Sequence, residues 1–176
     1  MNKKFWLVLY YGFARHLPGS HTRLGRLLHS QGIRYFCCKH IFASIGTNVN
    51  IEKGAWFGMG GGIYIGNNSG IGYNAHLLNN TIIGDDVMMG RNMRMLESVH
   101  IYSRTDIPMI KQGRKSSRDQ VTIGNDVWIG DDVLVVGSRN IGTGSVIAAR
   151  TVLVKSFPDY SVIGGNPSQL IKSRLN

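Results

Sequence analysis

The stretch Ile123-Gly-Asn-Asp-Val-Trp-Ile129-Gly-Asp-Asp-Val-Leu-Val135-Val-Gly-Ser-Arg-Asn-Ile141-Gly-Thr-Gly-Ser-Val-Ile147-Ala-Ala-Arg-Thr-Val-Leu153-Val-Lys155 keeps an unbroken beat of six. Apolar residues stand at Ile123, Ile129, Val135, Ile141, Ile147 and Leu153, and Val127, Val133, Arg139, Ser145 and Thr151 follow the first five at four residues' distance. A period of six cannot keep one helical face inward, because 3.6 residues per turn rotates successive marks by about 120°. It suits short flat strands with alternating faces, each turned at a small residue and then resumed. Repeats of this length read as a β-solenoid.

Working outward, the same beat appears in two earlier phases. Ile45, Ile51 and Phe57 make one set; Ile65, Ile71, Leu77, Ile83, Met89 and Met95 make the next. The step from Phe57 to Ile65 is two residues too long, which places an insertion within Met59-Gly-Gly-Gly-Ile63. Between Met95 and Ile123 the pattern stops. Residues 96–120 form a charged loop containing Pro108, and long loops in compact domains are often functional. Each coil is expected to have a triangular section of three short strands, with the six-spaced side chains stacked inside and stability roughly additive along the axis.

At 176 residues the chain suits one domain with a small appendage. Its 23 glycines, beside 43% hydrophobic residues, fit tight turns rather than disorder. Net charge is +10 and uneven: residues 1–44 contain Lys3, Lys4, Arg15, Arg23, Arg26, Arg34 and Lys39 and no acid. Such a face is either merely solvated or meets anionic lipid headgroups or an anionic cofactor. Nucleic acid is disfavoured, because no reading motif or aromatic platform accompanies the charge. The adjacent Cys37 and Cys38 match neither a zinc site nor a disulfide framework, so a reducing, cytoplasmic setting is expected.

The N-terminal 43 residues read as helices. A helix is expected over residues 2–17, stopped by Pro18-Gly19-Ser20, a short one over 22–29, and a third over 33–42 with Ile33, Phe36, Cys37, His40 and Ile41 on one side. The apolar run from Phe5 to Ala14 is too short to span a bilayer. It has the outline of a signal peptide, with Gly12-Phe-Ala14 as a weak cleavage site, but suits a capping or membrane-touching helix better. The cap, residues 1–43, would cover the open first coil of residues 44–176, whose backbone edge would otherwise face other chains. After Ser156-Phe-Pro158, the tail is expected to form a strand, a Gly-Gly-Asn-Pro turn and a short basic C-terminal helix.

Three segments, Val121-Thr-Ile-Gly-Asn-Asp-Val-Trp128-Ile-Gly, Ile141-Gly-Thr-Gly-Ser-Val-Ile-Ala-Ala149 and Ile163-Gly-Gly-Asn166-Pro167-Ser-Gln-Leu-Ile-Lys172, resemble the bacterial hexapeptide-repeat acyltransferases. The similarity covers about residues 45–175 and is strongest with the sugar and polysaccharide O-acetyltransferases, the group of the maltose, galactoside and nodulation-factor enzymes. This resemblance implies a left-handed parallel β-helix, a homotrimer, acetyl-CoA as donor and no metal. Handedness comes from the resemblance alone, since right-handed crossovers are the general rule for parallel strands.

Carried onto this chain, the resemblance makes His100 the catalytic base, at the start of the extended loop. Neutral imidazole can take the proton of a sugar hydroxyl as it attacks a thioester. In the family it resembles, members often carry an acid in this loop to orient the imidazole; here serines occupy that stretch, leaving Asp119, Glu97 or a backbone carbonyl as substitutes. For CoA, in a groove between subunits, the matching positions are Trp128, Asp131, Ala149, Val154, Lys155, Gln169 and Lys172. The two lysines would meet phosphates as point charges or stay ordinary surface residues. Asn74 and Asn79 are acceptor-binding candidates, since an amide both donates and accepts; asparagine ladders at coil corners are the structural alternative. His76 faces outward and is placed to line the cleft, Arg150 points outward, and His16, His21, His29 and His40 are structural. The expected function is O-acetylation of a surface-polysaccharide precursor, with peripheral membrane contact through residues 1–43. The alternatives are N-acetylation of an amino sugar or nucleotide-amino sugar and, more remotely, a streptogramin-type acetyltransferase. A γ-type carbonic anhydrase would need clustered histidines, and an ice-binding solenoid regular Thr-x-Thr faces; neither pattern is present.

Overall fold

The computed structural model describes residues 2–97, 100–114 and 119–175. Beyond residue 43, short parallel strands stack turn upon turn. One sheet takes Ser44–Ile45, Tyr64–Ile65, Thr81–Ile83, Val121–Ile123 and Arg139–Ile141 in that order. A second takes Met88–Met89, Trp128–Ile129, Val146–Ile147 and Ser161–Gly164, and a third Arg94–Leu96, Leu134–Val136 and Val152–Leu153. Paired residues lie 20 apart in the first turn (Ser44 with Tyr64), 18 apart in the middle turns (Trp128 with Val146), 40 apart across the extended loop (Met88 with Trp128) and 16 apart in the last turn (Val146 with Val162). The extra two residues of the first turn are the insertion expected after Phe57.

The six-spaced residues are the core. Ile51, Phe57, Ile71, Leu77, Ile83, Ile123, Ile129, Val135, Ile141, Ile147 and Leu153 are all buried. So are the residues two positions before most of them, including Val49, Ala55, Ala75, Val127, Val133, Ser145 and Thr151, while Arg139, before Ile141, is half-buried. One residue earlier still, the backbone turns through the left-handed region at Asn48, Asn68, Asn74, Asp86, Asn92, Asp126 and Asp132, residue types that tolerate it. Their side chains stack along the axis: Asn48 Nδ2 donates to Asn68 Oδ1 (3.1 Å), Asn68 Nδ2 to Asp86 Oδ1 (3.0 Å) and Asn92 Nδ2 to Asp132 Oδ1 (3.0 Å). Arg150 holds the same corner at φ 60°, without a short polar side chain to help it.

Among the described residues, three helices precede the coils: α1 (Lys3–Gly12), α2 (Arg23–Leu27) and α3 (Ser30–Lys39), with a 3-10 turn at Ala14–His16. Asn2 caps α1, its Oδ1 accepting from Lys4 N (3.2 Å), and Thr22 caps α2 through Gly25 N (2.9 Å). The α1 helix is shorter than the expected residues 2–17, and it is built into the fold. Tyr10 donates to Ala55 O (3.0 Å), Tyr11 to Gly58 O (2.9 Å), and Arg15 Nε to Gly54 O (3.2 Å). The deepest tie is Arg34 of α3, fully buried, whose Nε donates to Ile51 O (2.5 Å) and whose Nη1 donates to Leu17 O and Pro18 O (3.3 and 3.1 Å). Its Nη2 faces Glu52 Oε2 at 3.7 Å. Burial alone would raise the Glu52 carboxyl, but hydrogen bonds from Ser20 and Asn50, with Arg34 alongside, bring it below the usual carboxylate range.

At the other end the expected C-terminal helix is replaced by a strand, Gln169–Ser173, antiparallel to Ser161–Gly164. Gly165, at φ 97°, lets the chain reverse, and the returning strand covers what would be an open sheet edge. The short-range pattern of Leu170, Ile171 and Lys172 does not distinguish a helical turn from a strand.

Candidate active site

The outward residues of the second sheet form a row: Met88, Trp128, Val146, Val162 and Lys172 are successive ladder partners. Beside this row lies a groove of about 510 Å³ lined by Trp128, Gly130, Asp131, Ala148 and Ala149, with Val146 and Ile147 at its wall. Its narrowness follows from two small residues meeting across coils. A Cβ built on Gly130 would lie 2.5 Å from Ala149 N, so glycine is needed for the turns to approach. The groove offers apolar walls and backbone groups, with the Lys172 register position on the same face. Asp131 has one carboxylate oxygen engaged in stacking, since Oδ1 accepts from Arg91 N (2.7 Å).

The extended loop leaves the third sheet after Leu96 and rejoins the first at Val121. His100, exposed, pairs with Arg114 through an isolated antiparallel bridge, and Ile101 N donates to Gly113 O (3.3 Å). His100, Met109, Ile110, Gly113 and Arg114 line a concavity of about 530 Å³. Gln112 holds the loop together: its Oε1 accepts from Arg104 N (3.1 Å), and its Nε2 donates to Arg104 O (2.8 Å) and Ile107 O (3.1 Å). Arg104 also pairs with Asp106. The His100 ring has no hydrogen-bond partner among the described residues. Of the substitute acids, Asp119 accepts from Ser138 Oγ (2.8 Å) and Glu97 is exposed; the serines at 116 and 117 lie outside the described residues.

On the third sheet a further outward row runs through Trp56, His76 and Arg94, linked by parallel bridges, and continues to Leu134 and Val152. The Trp56 and His76 rings lie 5.6 Å apart at 30°. Partial burial, then Arg94 and Arg15, lower the His76 pKa, so this imidazole is held neutral over a wider pH range than a free one. The extended loop leaves from the strand that carries Arg94, in the middle of this row.

No family model matches the chain. The galactoside O-acetyltransferase of Escherichia coli (strain K12) is 31% identical over 139 residues, covering 76% of this chain and 65% of that enzyme. The Saccharomyces cerevisiae protein YJL218W, a presumed acetyltransferase, is 33% identical over 137 residues, covering 76% of this chain and 67% of its own length. Among solved structures, a galactoside acetyltransferase in complex with coenzyme A superposes with a TM-score of 0.75 and 28% identity, covering 97% of this chain and 80% of that one. The chain belongs to the hexapeptide-repeat acyltransferase superfamily. Within it, the relatives place it in the sugar O-acetyltransferase group. It spans about two thirds of the length of these first relatives, 65% and 67%.

For this hexapeptide-repeat protein the structure brings Trp128, Asp131 and Ala149 together in one groove and sets Lys172 in register on the same face. Gln169, partnered with Gly164, lies at the start of the same returning strand. Val154 N donates to Ser168 Oγ (3.2 Å), and Lys155 places its ammonium over the Phe157 ring at 5.3 Å, so both are tied locally. Asn74 is a corner residue in the left-handed region, and its Nδ2 donates to Asn92 Oδ1 (3.3 Å), which is the ladder alternative rather than a free amide. Asn79 is exposed beside Thr81. The row of Trp56, His76 and Arg94 was legible only in part: His76 was expected outward, but its neighbours were not named. Their separations of 20 and 18 residues, one turn each, are the signal that would have found them.

Proposed function

We propose that this chain is an acetyl-CoA-dependent O-acetyltransferase that modifies a carbohydrate hydroxyl, with a surface-polysaccharide precursor as the acceptor class. The observation that carries the reading is the groove of Trp128, Gly130, Asp131, Ala148 and Ala149, in a chain that matches a coenzyme A complex along nearly its whole length. Its apolar walls suit a pantetheine arm, and Lys172 supplies a point charge for phosphate. The working unit in this reading is a homotrimer of left-handed β-helices. Ile110 (91% exposed), Met109 and Tyr102 give the extended loop an apolar surface of the kind a neighbouring subunit covers.

His100 takes the proton of the acceptor hydroxyl through a ring nitrogen as the oxygen attacks the thioester carbonyl. A backbone N–H beside the bound carbonyl steadies the oxyanion. As the C–S bond breaks, the imidazolium returns its proton and CoA leaves as the thiol. No acyl-enzyme is needed, so donor and acceptor react in one ternary complex. Gln112 positions the loop that carries His100, and the Trp56, His76 and Arg94 row offers the acceptor an aromatic face beside a cation; exposed Asn79 adds an amide. The test is CoA release with neutral oligosaccharides, amino sugars and nucleotide-amino sugars side by side. Turnover with the neutral sugars, lost in His100→Ala, is expected. Turnover only with amines would replace O- by N-acetylation, and an unimpaired His100→Ala enzyme would remove the base.

A further inference from the structure

We propose that the helical N-terminal segment is a docking surface for an anionic phospholipid bilayer. Charge asymmetry alone would leave a solvated basic face as an equal reading, and the structure adds the apolar half of the argument. A groove lined by Phe5, Trp6 and Leu9 of α1 and by Gly32, Ile33 and Phe36 of α3 lies open on the outside of the helices, with His29 at one end. Phe5, Val8 and Phe36 are about half exposed or more, and the short α2 and its C-cap expose Leu24, Leu27 and Leu28, Leu27 at 74%. These helices are tied to the coils through Tyr10 and Arg34, which bond Ala55 O and Ile51 O, and Leu7 and Cys38 are buried. The exposed apolar side chains therefore do not serve the intramolecular core.

The charge around them has one sign. Lys4, Arg23, Arg26 and Lys39 are exposed on the same helices, and the first acid in the sequence is Glu52, which is buried and engaged by Ser20 and Asn50. Apolar side chains interleaved with cations, and no carboxylate, match the interface of an anionic bilayer, where hydrocarbon accepts the first and lipid phosphate the second. A second copy of the same surface would set cation against cation, which disfavours self-association here. Among the described residues no helix is long and apolar enough to cross a membrane, so the contact lies in the interfacial plane. Its consequence is that an acceptor carried on lipid would meet the enzyme in two dimensions.

The experiment is flotation of the full-length chain with vesicles of phosphatidylcholine alone and of phosphatidylcholine with phosphatidylglycerol. Binding to the anionic vesicles, weakened by high salt, is expected. Each cation near such a surface is worth roughly fivefold, so Arg23→Glu with Arg26→Glu should weaken binding by at least about 25-fold. Leu24→Ser with Leu27→Ser should weaken it by about tenfold or more. All four positions are exposed, so both variants should keep the wild-type thermal midpoint and soluble-acceptor turnover. Failure of the wild-type chain to float with anionic vesicles overturns the proposal. So does binding indifferent to both variants, or wild-type self-association abolished by Leu27→Ser without any lipid binding.

Discussion

The coils of residues 121–153 and the loop of residues 97–120 divide the labour of this molecule. In the coils a side chain's place follows from its number modulo six: Ile129 is inward, Trp128 outward, Asp126 a corner. Backbone groups of the strands there bond to the turn above or below, as with Gly130 N to Ile147 O (2.8 Å) and Leu134 N to Thr151 O (2.9 Å). The loop has no such repetition, and a handful of polar contacts centred on Gln112 shape it. A repeat can present a groove of invariant width but cannot bring one unlike side chain out of line. The interruption does that for His100.

The sharpest test of this division is His100→Ala. With His100 as the proposed general base, its loss should lower kcat by about 10²- to 10⁴-fold, while CoA affinity by calorimetry and the thermal midpoint stay within error. A variant that instead failed to bind CoA would mean that loop and groove are not separable. Next comes Arg34→Met, which strands Glu52 beneath α3; about 3–5 kcal/mol of stability in urea unfolding should go.

The same pair predicts a pH dependence of definite sign. Because the Glu52 carboxyl is held below its ordinary value of 4.5, its contribution is fully present above that value and is lost as pH falls through the depressed one. Urea midpoints of wild type should therefore drop below pH 4.5 more steeply than those of Glu52→Gln. A smaller effect is expected for Gln112→Ala: kcat should fall by about tenfold with little change in stability, because the loop loosens around His100 and the coils do not. Smallest is Arg150→Gly. Relieving a left-handed corner that arginine occupies at φ 60° should raise stability by about 1 kcal/mol, read as a higher thermal midpoint.

Much of the fold is legible in the sequence. The inward set from Ile45 to Leu153, the insertion after Phe57 and the break at Met95 depend only on local alternation, and local alternation is what stacked coils amplify. The tail was misread because four or five residues with Leu, Ile and Lys carry no decisive period. Asn74 was ambiguous for another reason. An asparagine in a tight corner and one awaiting a sugar look alike until the neighbouring turn, with Asn92 stacked on it, is seen.

By itself, then, the sequence determined which residues face inward, where the repeat begins and breaks, and which single histidine leaves the frame, because a periodic chain writes its own register. Only the tertiary structure decided what comes together from different turns: the close approach of Gly130 to Ala149, the row of Trp56, His76 and Arg94, and Arg34 buried against Glu52. Those contacts depend on how many residues make one turn and on how the helices lie against the first of them. Neither is a local property of the chain.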